Sequence, residues 1–167
     1  ISAEVIDPSL GEMAAQAADV FAQAGKAYTD GSISTQEAKD YIYINTIPVF
    51  VTPDENGIYH IGNTAQMYGF SKIVNSGTNN IDAVLDGDVM FETAMIMNDF
   101  YGTFDGQGHT MNMNIEISGK EGAAPFFNLR GATVKNLTVT GEITSDNKFA
   151  AAVAAHAYDA STIENIQ

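Results

Sequence analysis

Asp99-Phe100-Tyr101-Gly102-Thr103-Phe104-Asp105-Gly106-Gln107-Gly108-His109-Thr110 opens the stretch that decides the fold, because a similar sequence returns twice between it and residue 167. Thr110-Met111, Thr133-Val134-Lys135-Asn136-Leu137 and Thr162-Ile163-Glu164-Asn165-Ile166 each set a threonine before a β-branched or apolar residue, the threonines lying 23 and 29 residues apart. Such a period is too short for a domain and suits one coil of a solenoid. In the first coil Met111, Met113, Ile115 and Ile117 alternate with Asn112, Asn114, Glu116 and Ser118, the period of a strand with one face inward. In the next, Val134, Leu137 and Val139 supply the apolar positions. They are preceded by Ala123-Ala124-Pro125-Phe126-Phe127-Asn128-Leu129, where both phenylalanines read as core.

Upstream, Asn63-Thr64 caps a helix expected over about 65 to 75, with Met67, Phe70, Ile73 and Val74 on one face and Ser76-Gly77 ending it. Ile81 to Leu85 and Val89-Met90-Phe91 read as strands around an Asp86-Gly87-Asp88 turn. A helix placed before a wound sheet covers the apolar end of its first coil, which would otherwise expose core and strand edges. Ile47 to Val51 and Ile58 to Ile61 flank the turn-rich Thr52-Pro53-Asp54-Glu55-Asn56-Gly57 and predict a β-hairpin. Ser9 with Glu12, and Ser34 with Glu37, have capping-box spacing and open helices over about 9 to 28 and 34 to 44. The expected organisation is therefore a helical hairpin over 1–45, a β-hairpin or cap over 46–62 and a helix-capped wound sheet over 63–167.

Gly102-Thr103-Phe104-Asp105-Gly106-Gln107-Gly108-His109-Thr110, Gly131 to Gly141 and Ser161-Thr162-Ile163-Glu164-Asn165 together resemble the GLUG-type repeat region of bacterial surface proteins. The resemblance spans about residues 58 to 167. It implies a right-handed parallel β-helix on an exported, cell-surface protein, and no single activity, since such repeats serve as spacers and adhesin-like modules and also stand beside secreted peptidases. Gly102, Phe104, Asp105, Gly106, Gly108, Phe126, Phe127, Asn136 and Asn165 are the turn and core residues the reading singles out. Two departures stand out. Ala124-Pro125-Phe126-Phe127 and Ala151-Ala152-Val153-Ala154 occupy the place of the glycine-containing tetrapeptide that names the family, and Thr110 to Gly119 is one residue longer than Thr133 to Gly141.

Seven Lys and Arg against 21 Asp and Glu give a net charge of −14, whose field repels phosphate backbones and anionic membrane surfaces. Nucleic acid is thus an unsuitable partner. The absence of cysteine removes disulfides, thiolate chemistry and cysteine-ligated zinc. No run of about 18 apolar residues occurs. The start at Ile1, without a basic and apolar leader, reads as a processed protein or a fragment.

Asp30, Gly31, Ile33, Ser34 and Glu37 match the back half of a calcium loop, which makes Asp30, Ser34 and Glu37 the metal candidates. The front half would place Lys26 and Tyr28 at ligand positions, and neither offers a carboxylate; capping and a tight turn account for the same residues. Asp86, Asp88, Asp99 and Asp105 could converge from neighbouring coils as paired carboxylates, although all but Asp99 have the glycine neighbours of turn residues. His60 reads as an exposed strand residue, His109 as a corner residue, and His156 has no partner apparent in the sequence. No Ser-His-Asp order, HExxH or phosphate-cradling loop is present, and neither a catalytic residue nor a cofactor is assigned.

Since Gln167 follows Ile163-Glu164-Asn165-Ile166 in mid-strand, further coils or a neighbouring subunit are expected at that end. The functional expectation is a non-enzymatic, extracellular structural or adhesin-like module. A filament subunit and a carbohydrate-binding or carbohydrate-active β-helix are the alternatives. The expected partners are, besides the further coil, a host or cell-surface glycan or protein.

Overall fold

The computed structural model describes residues 22–27, 29–31, 38, 51–91, 96–117, 122–146 and 149–167. Residues 22–27 and Ala38 are helical, within the two helices expected for the N-terminal part, and Thr29 is helical one residue beyond the expected end of the first; the rest of those helices, and Ile47 to Phe50, lie outside the described residues. Beyond Val51 the chain is β-rich. Its elements are β1 (Ile58–Ile61), α1 (Thr64–Asn75), β2 (Asp82–Leu85), β3 (Val89–Phe91), β4 (Ile96–Phe100), β5 (Thr103–Asp105), β6 (Thr110–Ile117), β7 (Gly122–Ala123), β8 (Phe126–Arg130), β9 (Thr133–Ser145), β10 (Phe149–Ala150), β11 (Ala154–Tyr158) and β12 (Thr162–Ile166).

These strands pair in parallel and in chain order. One ladder runs β1, β2, β5, β9, β12, a second β3, β6, β9 and a third β4, β8, β11, with β7 beside β10. Ile58 pairs with Asp82, Ala83 with Phe104, Thr103 with Thr133 and Thr133 with Thr162, so the chain re-enters the first ladder every 21 to 30 residues. Thr133 and Thr162 are equivalent, as the repeat predicts. Thr110, however, pairs with Thr138, and Thr103 is the true partner of Thr133. The expected spacing of 23 is corrected to 30, and the extra residue expected before Gly119 disappears, because Met113 stands opposite Gly141.

The reason is a corner hidden inside β9. Thr133 to Leu137 pairs with β5 and β12, whereas Thr138 to Ser145 pairs with β6. Near the end of the first segment Asn136 adopts φ +53°, a left-handed conformation that asparagine tolerates better than most residues. Asn165 has φ +51° one pass later, and Asn165 Nδ2 donates to Asn136 Oδ1 at 3.0 Å while Asn136 Nδ2 donates to Asp105 Oδ1 at 3.0 Å. A polar ladder thus joins three consecutive passes at this corner. At Gly102 the passes approach so closely that an added Cβ would lie 1.9 Å from the Ile81 carbonyl oxygen.

The core lies between the ladders. Phe70, Phe100, Phe104 and Phe126 are fully buried, and their ring centroids are 5.3 to 6.1 Å apart along the sequence of contacts from Phe70 to Phe126. Met111, Met113 and Ile115 are buried while Asn112, Asn114 and Glu116 are exposed, as alternation requires. Only one of the two adjacent phenylalanines is core: Phe126 is buried, whereas Phe127 sits half-buried with its ring against His156.

Helix α1 packs Met67, Phe70 and Val74 into the core at the β1 end of the first ladder. Asn63 caps it by accepting the Gln66 N–H, and Gln66 Oε1 returns a bond from the Gly62 N–H at 2.7 Å. The turn at 54–57 also forms, with Asp54 Oδ1 accepting the N–H groups of Asn56 and Ile58. Among the described residues, the antiparallel contact of the expected hairpin is one bridge, Pro53 with Tyr59. The principal pairing of β1 is the parallel one with β2.

Candidate functional site

The acidic residues of the turns are held by neighbouring passes. Asp88 Oδ1 accepts the Thr110 N–H at 2.7 Å and lies 3.5 Å from His109 Nδ1. Asp86 Oδ2 is 2.9 Å from His60 Nδ1, and the other ring nitrogen is 3.5 Å from Asp54. His60 is therefore an exposed strand residue with two partners. The Asp86 hydrogen bond, with the Asp86 charge and Asp54 adding to it, raises its pKa above the ordinary value against an opposing effect of desolvation. Burial pushes the Asp105 carboxyl up, but the Asn136 amide, the Gln107 N–H and the Lys135 ammonium hold it below the usual range on balance. Gly106 packs against the Asn136 carbonyl, and Gly108 turns the chain at φ +83°. Asp99 lies in β4 of the third ladder, Asp105 in β5 of the first, and Asp86 and Asp88 in the turn between β2 and β3, so the four expected carboxylates are spread over different elements.

Of the calcium candidates, Asp30 is described: it is exposed in a turn, its N–H donating to the Lys26 carbonyl. Ser34 and Glu37 lie outside the described residues. Among the described residues no three His, Asp or Glu side chains are placed to hold a metal ion.

A second constellation forms on the outward side of the β4–β8–β11 ladder. Asp99 stands opposite Asn128 and Asn128 opposite His156, which sets a carboxylate, an amide and an imidazole in one row. Phe100 pairs with Leu129, so Tyr101 comes level with Arg130, itself opposite Tyr158. Arg130 Nε donates to Asp99 Oδ2 at 2.6 Å, Asn128 Nδ2 donates to Asp99 Oδ1 at 2.8 Å, and the guanidinium lies 4.7 Å from the centroid of Tyr158. The Asp99 hydrogen bond, and then its charge, raises the already high Arg130 pKa, so the cation is permanent. His156, expected to be without a partner, contacts Phe149 at 4.8 Å, Phe127 at 5.5 Å and Tyr158 at 5.8 Å between ring centroids.

None of these contacts is signalled locally. The available clue was the repeat itself, since Asp99, Asn128 and His156 follow one another at nearly the 29-residue spacing of Thr133 and Thr162. Comparison of the chain with protein-family models, with curated proteins and with solved structures found no match in any of the three.

Proposed function

We propose that the chain is a non-enzymatic, structural or adhesin-like module of a right-handed parallel β-helix, displayed on a bacterial cell surface in the manner of the GLUG-type repeats it resembles. The observation that carries this reading is the pairing of three ladders in parallel and in chain order, each pass one repeat after the last. Handedness follows from a general rule: crossover connections between parallel strands of one sheet are overwhelmingly right-handed. The acids once considered for catalysis each support a turn or a neighbouring pass, which favours a scaffold over a hydrolase. Among the described residues β11 and β12 each keep one unpaired edge. There we place the partner, a further coil of the same protein or a neighbouring subunit, the latter giving a filament.

The test is antibody labelling of intact cells of the source bacterium, with lysed cells as control. Labelling of intact cells is the expected result. Labelling that appears only after lysis would sink the surface reading. Light scattering of the chain over a range of concentrations separates the two partners: mass that grows with concentration favours a neighbouring subunit.

A further inference from the structure

We propose that the outward face of the β4–β8–β11 ladder binds a neutral glycan, with Tyr101 and Tyr158 contacting sugar rings and Asn128, Arg130 and His156 contacting hydroxyl groups. The inference deepens the reading of the module as a surface-displayed adhesin by naming a ligand class.

Neighbouring strands lie about 4.8 Å apart, so Tyr101, one residue past the end of β4, and Tyr158 of β11, on either side of Arg130 in β8, stand roughly 10 Å apart, a reach that spans a disaccharide. Tyr101 is 42% and Tyr158 41% exposed, a large aromatic surface to leave in water twice on one face. Sugars offer apolar C–H faces and paired hydroxyls, and planar side chains that both donate and accept suit the latter.

Here the planar groups are already fixed. Asp99 holds Asn128 and Arg130 through separate oxygens, and Phe127 and Phe149 hold the imidazole of His156 edge to face. Among the described residues, no protein group hydrogen-bonds the Asn128 side-chain oxygen Oδ1, the Tyr158 hydroxyl or the His156 ring nitrogens. Groups held in place with unused capacity bind at low ordering cost. Charge narrows the class. A chain carrying −14 repels uronate and sulfated polymers, and the Arg130 cation is neutralised by Asp99 and Asp159, so a neutral glycan is the suitable occupant.

Affinity electrophoresis tests the proposal, using gels that contain laminarin, xylan or yeast mannan, with polygalacturonate as the anionic comparison. Retardation by at least one neutral polysaccharide is expected. It should weaken at least tenfold in Tyr101→Ala/Tyr158→Ala and in Asn128→Ala, and persist in Met90→Ala, which alters an exposed residue of another ladder. Asn128→Ala keeps the test decisive if the double variant loses its thermal transition. Retardation by no neutral polysaccharide, by polygalacturonate alone, or equally in folded variants overturns the glycan site. Such a result would leave the cell-labelling result untouched, so the two readings fail separately.

Discussion

At Gly102 the fold leaves no room for a methyl group, whereas at Gly108 it has room but asks for a left-handed backbone. The added Cβ would meet the Ile81 carbonyl oxygen at Gly102, and nothing within 4 Å at Gly108, where φ is +83°. Two physical costs can thus be separated. Gly102→Ala should destabilise by about 3 kcal/mol, because backbone of the preceding pass must shift. Gly108→Ala should cost about 1 kcal/mol, the conformational penalty alone. Urea unfolding of both variants measures the difference, and equal losses would refute close approach as the reason for Gly102.

His60 gives a pH dependence at the same scale. Its pKa is raised in the folded chain by Asp86 and Asp54, so the stabilisation is fully present below the unfolded value near 6.5 and is lost as pH rises through the higher folded value. Between pH 6 and 8 the melting temperature of the wild type should therefore fall more than that of His60→Gln. Parallel curves would mean that the imidazole contributes nothing through its charge. The effect is small, since both partners are solvent-exposed.

Helix α1 shows which elements announce themselves. Its cap, its apolar face and its end are all set by residues within a few positions, and the structure places the helix at Thr64–Asn75 with those features. Asn63→Ala should cost about 1 kcal/mol through loss of the cap bond to Gln66. Phe70→Ala should cost about 3 to 5 kcal/mol, because the ring is the contact between the helix and Phe100 and Phe104. Thermal or urea unfolding ranks the two, and a reversed order would deny the helix its role as a core element. The alternation of β6 was legible for the same local reason. Strand β9 was not, because Thr133 to Ser145 reads as one continuous run while Asn136 turns it from one ladder to the next. That hidden corner shifted the apparent repeat from Thr103 to Thr110. The Asp99–Arg130 pair and the ring cluster about His156 were equally illegible, since their partners lie one pass away and no local periodicity reports a parallel register.

Across the whole molecule, pairing in chain order makes each pass depend chiefly on its two neighbours. Strands β5 and β9 are paired on both sides, and β12 on one. Four amides allow a controlled comparison because all are hydrogen-bonded. Thr133 N–H donates to the Gly102 carbonyl and Thr138 N–H to His109, while Thr162 N–H donates to Ala132 and Gln167 N–H to Leu137. Hydrogen exchange of Thr162 and Gln167 should run at least about tenfold faster than that of Thr133 and Thr138, a local opening free energy lower by roughly 1.4 kcal/mol. Since every one of these amides is bonded, such a difference reports the stability of a pass and not the presence of a bond. Equal rates would mean that the chain opens as one cooperative unit, with the passes coupled too strongly to be summed. Addition of a subunit or coil at the β12 edge should then slow Thr162 and Gln167 selectively, because it would give that strand a second neighbour.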